Sequence, residues 1–453
     1  MSKKKGQITG QVIGATKSGS GLKGKRKMAG FSLFGVSVGG VDAAQVKRHL
    51  LFLVLIAITI KFVVVFATTS VFNSFMDSFD LQYYLQAGVH IMQGQVPYAN
   101  FSFDYPPLAL IPILLALIPA VLFNSGTLFV LAFQTLMVIC DIIIVICVYL
   151  LGLKLYNEKT AFVAAFLYAT AFSTGYFVLT KYDAFPTSLL MVAILFTLYG
   201  QTVKGYLAAV LGFFAKIFPA LILPFMVLYN SRESTLKEEI ISLVKVCIIP
   251  FIILFIPFVI LTPNIISTYL FVSGASVGVY VNTATYTIYT YLSGIFHLPV
   301  SQGLISDGMY AFMGAILLLL LYVSYSDRKN LQPRGFLTIL CLAIFSVVFF
   351  TKFHSPQYII WYTPLLALLV ADDLIKIGLF YLVQILAYIE FPLMFGNYYV
   401  NLQYTNAVGT DGWYITLIFF TLEYAALVLL FLLVARPTEG FRYKIREILS
   451  FRH

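Results

Sequence analysis

Apolar runs long enough to cross a lipid bilayer recur along almost the whole chain and constrain its fold more than any other feature. They lie at roughly 50–72, 127–152, 160–178, 184–200, 240–262, 304–325, 335–351, 357–371, 376–395 and 412–435. A spanning helix needs about 20 apolar residues. Only 11% of the 453 residues are charged, against about 25% in soluble domains. The sequence therefore predicts an all-α polytopic membrane protein and excludes a water-soluble globule.

Two further apolar segments, 107–123 and 205–228, are interrupted by prolines, and the second also contains Lys216. Irregular backbone survives at membrane depth only where protein or a wet cavity satisfies its polar groups. We therefore expect a surface or re-entrant helix over 107–123 and a broken hairpin over 205–228. With these segments the prediction is a bundle of about 11–13 transmembrane helices.

Basic residues are concentrated at the two ends of the chain, which carries a net charge of +10. Lysine and arginine favour the cytoplasmic side of a membrane. We predict a disordered basic cytoplasmic tail over 1–48, a transmembrane domain over 49–435 and a second basic cytoplasmic tail over 436–453. Such tails bind anionic membrane lipids, so nucleic acid is not an expected partner. The expected location is the cell membrane, or the endoplasmic reticulum membrane in a eukaryote.

The segment between Lys245 and Arg328 contains no lysine or arginine, which predicts an extracytoplasmic loop over 263–303. The same rule makes 73–106 a long first extracytoplasmic loop. Three polar segments, 76–110, 180–186 and 351–362, then share that side. Lys181, Lys216 and Lys352 are also expected there, where they bind either lipid headgroups or another anionic group.

Few polar or reactive groups lie inside the apolar runs. Intramembrane acids are functional candidates by default, but for Asp141, Glu390 and Glu423 we favour structural pairing. The cysteines are expected to be small buried residues, because they have neither the spacing of a zinc site nor that of a disulfide framework. They are Cys140, Cys147, Cys247 and Cys341.

Motifs in the polar segments resemble a known family. The first loop contains Asp80, Gly94, Pro97–Tyr98 and FDYPPL (103–108). In order there follow Asp141 in CDIIIVICVYL (140–150), KYDAFP (181–186), GFFAKIFPALILP (212–224) and KFHSPQYIIWYTPLL (352–366). Together they resemble the GT-C superfamily of membrane glycosyltransferases. The resemblance is greatest to the catalytic subunit of GPI mannosyltransferase I and to the polyprenyl-phosphate-mannose-dependent α-mannosyltransferases of bacteria and archaea.

The resemblance implies a GT-C-like transmembrane catalytic domain that transfers a hexose, most of all mannose. The implied donor is a polyprenyl or dolichyl phosphate sugar, and the implied acceptor is a glycan or a glycolipid at the extracytoplasmic face. An inverting transfer of this kind needs a carboxylate that takes the proton of the acceptor hydroxyl. It also needs cations that hold the departing phosphate and an apolar groove for the polyprenyl chain.

The motifs assign residues to these roles. Asp80 is the predicted general base, because its spacing to Gly94 matches the second Asp of the family's Asp-x-Asp pair, and Asp104 is predicted to orient the loop or the acceptor. The predicted ligands of the donor phosphate are Lys181, Lys216, Lys352 and His354. The predicted substrate contacts are Tyr83, Tyr84, Tyr98, Asp183, Gln357 and Tyr358. Packing also accounts for the tyrosines, and a helix cap for Asp183.

Ser78 stands where some relatives have the first Asp of that pair. The sequence therefore predicts neither a metal site nor a cofactor, and leaves dependence on a divalent metal and the need for an accessory subunit open. A secondary transporter is the main alternative, because intramembrane acids and broken helices would fit it. A lipid-linked glycan polymerase, ligase or flippase and an inactive GT-C-like scaffold are the others.

Overall fold

The computed structural model describes residues 31–74, 76–262, 265, 278–399 and 409–435. Within them the regular secondary structure is helical, apart from one two-stranded hairpin and an isolated β-bridge between Pro97 and Phe101. The helices of the first half are α1 (Ala43–Phe66), α2 (Phe79–Met92), α3 (Leu110–Leu122), α4 (Gly126–Leu155), α5 (Glu158–Ala169), α6 (Phe172–Thr180), α7 (Ala184–Leu198), α8 (Thr202–Ala215), α9 (Leu223–Asn230), α10 (Leu236–Leu254) and α11 (Ile256–Leu261). Those of the second half are α12 (Ala284–Tyr289), α13 (Gln302–Ser326), α14 (Pro333–Phe350), α15 (Ile359–Val370), α16 (Leu374–Tyr388) and α17 (Asp411–Ala435).

The helices confirm an all-α polytopic membrane protein. Six of those described are long and apolar enough to cross a bilayer: Ala43–Val71, Gly126–Leu155, Gln302–Ser326, Pro333–Phe350, Leu374–Gly396 and Asp411–Ala435. Helices α5 and α6, bent by 53°, make a seventh span if they cross together. Shorter apolar helices lie at Pro107–Leu122, Ala184–Leu198, Thr202–Ala215, Phe218–Asn230 and Pro356–Val370. Crossing of the bilayer by these shorter helices, and with it the count of 11–13, stays a prediction.

The N-terminal part of the described chain differs from the expected disordered tail. Residues Phe31–Leu33 (β1) and Val36–Val38 (β2) form an antiparallel hairpin, and α1 begins at Ala43, capped by the Asp42 side chain. The hairpin turn has positive φ at Phe34 (54°) and Gly35 (74°), the geometry that two-residue hairpin loops prefer. Phe31 and Val36 are buried, so the hairpin packs against the bundle.

A buried ion pair joins two of the long helices. Lys61 Nζ of α1 lies 2.6 Å from Asp141 Oδ2 of α4, and the Tyr168 hydroxyl of α5 donates to Asp141 Oδ1 at 2.8 Å. All three side chains are buried. The structural pairing expected for Asp141 is therefore what the structure shows, and it joins three helices.

The segment 202–230 folds back on itself, as the sequence predicted for a broken hairpin. Helix α8 ends at Ala215, a 3₁₀ turn follows over Phe218–Ile222, and α9 begins at Leu223. A Cβ atom at Gly212 would lie 2.9 Å from Pro219 Cβ, so only glycine permits this close return. The break leaves Lys216 in an extended conformation at the end of α8.

Candidate functional site

A lysine held between two carboxylates forms the centre of the polar region. Lys181 follows the C-terminal end of α6, and its Nζ lies 2.6 Å from Asp77 Oδ2 and 3.0 Å from Asp80 Oδ2. Asp77 Oδ1 also accepts the backbone N–H of Phe79, the first residue of α2, at 3.0 Å. The side chains of this unit, which we call the Asp77–Lys181–Asp80 triad, are 8–17% exposed.

The triad perturbs the acidity of its members. Burial raises the pKa of the Asp80 carboxyl above its ordinary value, although the neighbouring Lys181 charge lowers it in part. Burial also opposes the charge of Lys181, but Asp80 and Asp77 outweigh it and raise the pKa of the ammonium. Lys181 is therefore charged at neutral pH, while Asp80 is more basic than an exposed aspartate, as suits a general base.

A second lysine is paired with Asp183. Lys216 Nζ and Trp361 Nε1 each lie 2.6 Å from Asp183 Oδ1. Asp183 begins α7 without a side-chain capping hydrogen bond. The carboxylate therefore joins three motif segments, and the helix cap is not the explanation for this residue.

Lys216 is also surrounded by aromatic rings. Its Nζ lies 5.2–5.7 Å from the ring centroids of Tyr105, Tyr182, Tyr358 and Trp361, within range of cation–π attraction. The rings come from three motif segments that are distant in sequence. Lys216 and Asp183 thus make a charged node that fixes these segments to one another.

The FDYPPL turn is held by tyrosines of the same region. Tyr83 Oη accepts the backbone N–H of Asp104 at 2.9 Å, and the Tyr98 hydroxyl donates to the Tyr105 carbonyl at 2.5 Å. Tyr84, which is buried, lies 3.5 Å from Asp80 Oδ2 through its hydroxyl. Tyr98 has a φ of 68°, an unusual conformation for a tyrosine. Tyr83 and Tyr98 therefore position the turn, and Tyr84 contacts Asp80.

A cavity of about 460 Å³ opens beside the triad. Asp77, Lys181, His354 and Gln357 are among the residues that line it. Gln357 is buried, and its amide oxygen accepts a hydrogen bond from Ser355 Oγ. The cavity has room for a sugar-sized ligand and brings together residues of all three polar segments.

Not every predicted residue lines this cavity. Asp80 is not among the residues that line the cavity, whereas Asp77 is. Asp80 is connected to the cavity by its ion pair with Lys181, which does line it. Asp104 is exposed, and its carboxylate accepts a hydrogen bond from Ser102 Oγ at 3.4 Å. Lys352 is not among the lining residues, but its carbonyl accepts the N–H of Tyr280, which does line the cavity, at 3.0 Å.

His354 lines the cavity but differs electrostatically from the lysines. Burial lowers the pKa of its imidazole to about 4, against a smaller opposing effect of a hydrogen bond with the Val348 backbone. At neutral pH the ring is therefore uncharged. It can donate one N–H to a phosphate oxygen, but it adds no positive charge to balance the phosphate.

An apolar groove of about 640 Å³ runs along α8 and α10. Val203, Leu207 and Leu211 form one side, residues 242–254 of α10 form the other, and Leu108 of the FDYPPL segment also lines the groove. Leu108 is three residues after Tyr105, whose ring faces Lys216. The groove therefore passes close to the charged node.

Several members of the site lie outside the set predicted from the sequence. Asp77 does not fit the spacing of the family pattern, yet it lies in the cavity wall. Tyr105 and Tyr182 have no predicted role, although both lie inside the quoted motifs and face Lys216. Each of these tyrosines is adjacent in sequence to an aspartate or a lysine of its motif, and that adjacency could have marked it as a site residue. Hydrophobic periodicity does not distinguish such a tyrosine from any other aromatic residue. No cluster of three or more His, Cys, Asp or Glu suited to a metal ion occurs in the part of the chain that the structure describes.

Comparisons with known proteins identify no family. No family model matches the chain, and no curated protein matches it. Among solved structures, the fold resembles the apo oligosaccharyltransferase of Archaeoglobus fulgidus with a TM-score of 0.44 and 13% sequence identity. The alignment covers 86% of this chain and 55% of that one, so the chain spans about half the length of the archaeal enzyme. At this TM-score and identity, the likeness defines neither family nor function.

Proposed function

We propose that the protein is a membrane glycosyltransferase of the GT-C type. It transfers a hexose, in our proposal mannose, from a polyprenyl or dolichyl phosphate donor to a glycan or lipid-linked acceptor with inversion. The observation that carries the proposal is the convergence of the sequence motifs. The Asp77–Lys181–Asp80 triad, the Lys216–Asp183 node and the 460 Å³ cavity meet close to an apolar groove.

Each reaction step has a group of suitable chemistry in this region. Asp80 takes the proton of the acceptor hydroxyl, and the acceptor oxygen then bonds to the anomeric carbon as the carbon–phosphate oxygen bond breaks. The lipid phosphate leaves as an anion and needs no proton, so one carboxylate suffices. The raised pKa of Asp80 supports it as the base. Asp77 is the second candidate, because it lies in the cavity wall.

The proposed ligands of the donor phosphate differ in their position and in their charge. Lys181 is the basic side chain in the cavity wall and is the first of them. Lys216 is not among the residues that line the cavity, so it ranks second, and its charge is offset by Asp183 as that of Lys181 is offset by Asp77 and Asp80. Lys352 and His354 come from the loop 351–355, where the uncharged His354 can donate an N–H to the phosphate but adds no positive charge.

The groove supports a lipid-linked donor. Its lining is apolar except for Ser242 and Lys245, and an isoprenoid chain lying there buries apolar surface at roughly 25 cal/mol per Å². The charge distribution of the sequence favours the extracytoplasmic side for the site in this proposal, where polyprenyl-phosphate sugars are used by the resembling family.

The proposal is tested by incubating purified full-length protein with a polyprenyl-phosphate mannose that is labelled in the sugar. We expect release of polyprenyl phosphate and transfer of label to an added lipid or glycan acceptor. Heat-inactivated protein gives the background for both measurements. Absence of release with mannose and with other hexose donors would contradict the proposal.

A secondary transporter is the second candidate function, and the observation that favours it is the pair of buried acids Glu390 and Glu423 within predicted spans. Transport would require accumulation of a solute in proteoliposomes driven by an ion gradient. Donor hydrolysis or transfer without such accumulation excludes this alternative.

A further inference from the structure

Two buried carboxyls lie apart from the triad. Glu390, at the start of the π-helical segment Ile389–Tyr399, is 2% exposed, and Glu423 of α17 is 5% exposed. Within the described residues, no lysine, arginine or histidine forms an ion pair with either carboxylate. This contrasts with Asp141, which has Lys61 as its partner. An isolated ionised carboxylate in an apolar interior is strongly unfavourable and is normally neutralised.

A small cavity of about 10 Å³ lies between them and is lined by Glu390, Glu423, His354, Tyr362 and Tyr424, among apolar side chains. Glu423 Oε2 and His354 Nδ1 have no hydrogen-bond partner in the described structure. A volume of about 10–15 Å³ accommodates one water molecule, provided that it finds two to four polar partners. The polar side chains that line this cavity are numerous enough to provide these partners.

We propose that Glu390 and Glu423 form a proton-binding site, in which the pair holds at least one proton at neutral pH and one water bridges the two carboxyls. The proton comes from hydronium: one O–H bond of hydronium breaks to leave water, and one O–H bond forms at a carboxylate oxygen. Two neighbouring carboxylates in one apolar pocket do not both stay ionised, because their charges repel and neither is solvated. The proposal does not depend on glycosyltransferase activity.

The proton-binding site is joined to the large cavity by Asn282. Asn282 Nδ2 donates to Glu390 Oε1 at 2.9 Å and to the His354 carbonyl at 3.1 Å, and the Tyr424 hydroxyl donates to the Asn282 carbonyl at 2.6 Å. Asn282 and His354 both line the 460 Å³ cavity. A change of charge on Glu390 therefore acts directly on the residue that fixes the cavity wall.

The other titratable groups around the pair do not change charge over the same pH range. The loop 351–355 contributes His354, whose pKa burial lowers to about 4. Helices α15 and α17 and the π-helical segment contribute Tyr362, Tyr424 and Tyr399, and an ordinary tyrosine titrates near 10. The walls from α14 and α16 are apolar. Between pH 5 and 9 the two carboxyls alone therefore govern the charge of this site.

Thermal unfolding of the full-length protein in detergent from pH 5 to 9 tests the site. Unfolded glutamates ionise near pH 4.3, so each proton held only by the folded state lowers the folding equilibrium constant tenfold per pH unit. We expect the stability of the Glu390→Gln/Glu423→Gln double variant to fall less steeply with pH than that of wild type, because either single variant leaves one buried carboxyl that still holds a proton. Glu233→Gln, at a side chain 77% exposed, is the matched control and should keep the wild-type slope.

Infrared spectroscopy provides a readout that does not require the variants to fold. In wild type at pH 7 we expect a protonated-carboxyl C=O band that shifts on incorporation of isotope-labelled glutamate, which separates it from aspartate. Absence of such a glutamate band would overturn the proposal. Saturable stabilisation by NaCl over choline chloride, lost in Glu423→Gln, would also overturn it in favour of a metal-cation site.

Discussion

Replacing Lys181 by methionine removes the cation that pairs with two partly buried carboxylates among the described residues. Lys181 Nζ is 2.6 Å from Asp77 and 3.0 Å from Asp80, and its own side chain is 8% exposed. Methionine fills much of the same volume but cannot donate to either oxygen. The variant therefore leaves both carboxylates without their charged partner in a poorly solvated site.

The expected loss is large and depends on pH. Removing one partner of a buried ion pair typically costs about 3–5 kcal/mol. Burial already raises the pKa of Asp80, and loss of Lys181, which lowers it, raises it further. The folded variant then binds protons that the unfolded chain releases above about pH 4, so its stability falls as pH rises. In wild type the pKa of Lys181 is raised, so the ammonium stays charged between pH 5 and 8. The contribution of Lys181 to the free energy of unfolding is therefore constant over that range.

The assay is thermal unfolding of Lys181→Met in detergent at pH 5 and pH 8. We expect a deficit that is clearly smaller at pH 5, and partial recovery at pH 8 when Asp77→Asn is added. Lys159→Met, at an exposed position, is the control and should change stability little. A deficit of equal size at both pH values would refute the reasoning, because it would show that lost packing and not uncompensated charge is responsible.

Three further predictions concern the node, the groove and the topology. Trp361→Phe removes the indole donor to Asp183 and should cost about 1.5–3 kcal/mol in thermal unfolding, and an unchanged melting temperature would exclude that bond as a determinant. Leu211→Trp should fill the groove and raise the apparent KM for a long-chain donor while sparing a short-chain one; equal effects on both would argue against the groove as the lipid site. In a cysteine-free background, cysteine at Leu298, 46% exposed, should react with an impermeant thiol reagent in intact cells and cysteine at Asn330 should not; the reverse pattern would invert the topology.

Hydropathy predicted the helices closely because membrane spans are defined by local composition. The predicted runs 304–325 and 412–435 correspond to Gln302–Ser326 and Asp411–Ala435. Proline and lysine likewise indicated the break in 205–228. The hairpin at 31–38 was missed, although FSLFGVSV alternates apolar and polar residues around a glycine, because the surrounding glycine, serine and lysine dominated the interpretation. The expected extracytoplasmic loop 263–303 lies in part outside the described residues.

The partners of the charged residues could not be predicted from the sequence. Asp183 is placed like a helix cap, and only tertiary structure brings Lys216 and Trp361 to it. Asp77 and Asp80 are three residues apart near the start of a helix, so one lysine can contact both. Spacing alone favoured Asp80 and could not show that Asp77 lies in the cavity wall.

The transfer rate of Asp80→Asn, measured together with donor binding in folded, purified protein, tests the central claim most directly. Asparagine keeps the shape of the side chain but cannot take a proton, and loss of a general base costs on the order of 10²–10⁴ in rate. We predict a loss of this size with donor binding largely kept, a milder loss in Asp77→Asn and little loss in Asp104→Asn. Near-wild-type transfer by both Asp80→Asn and Asp77→Asn would contradict the account, because no carboxylate of the triad would then be the base.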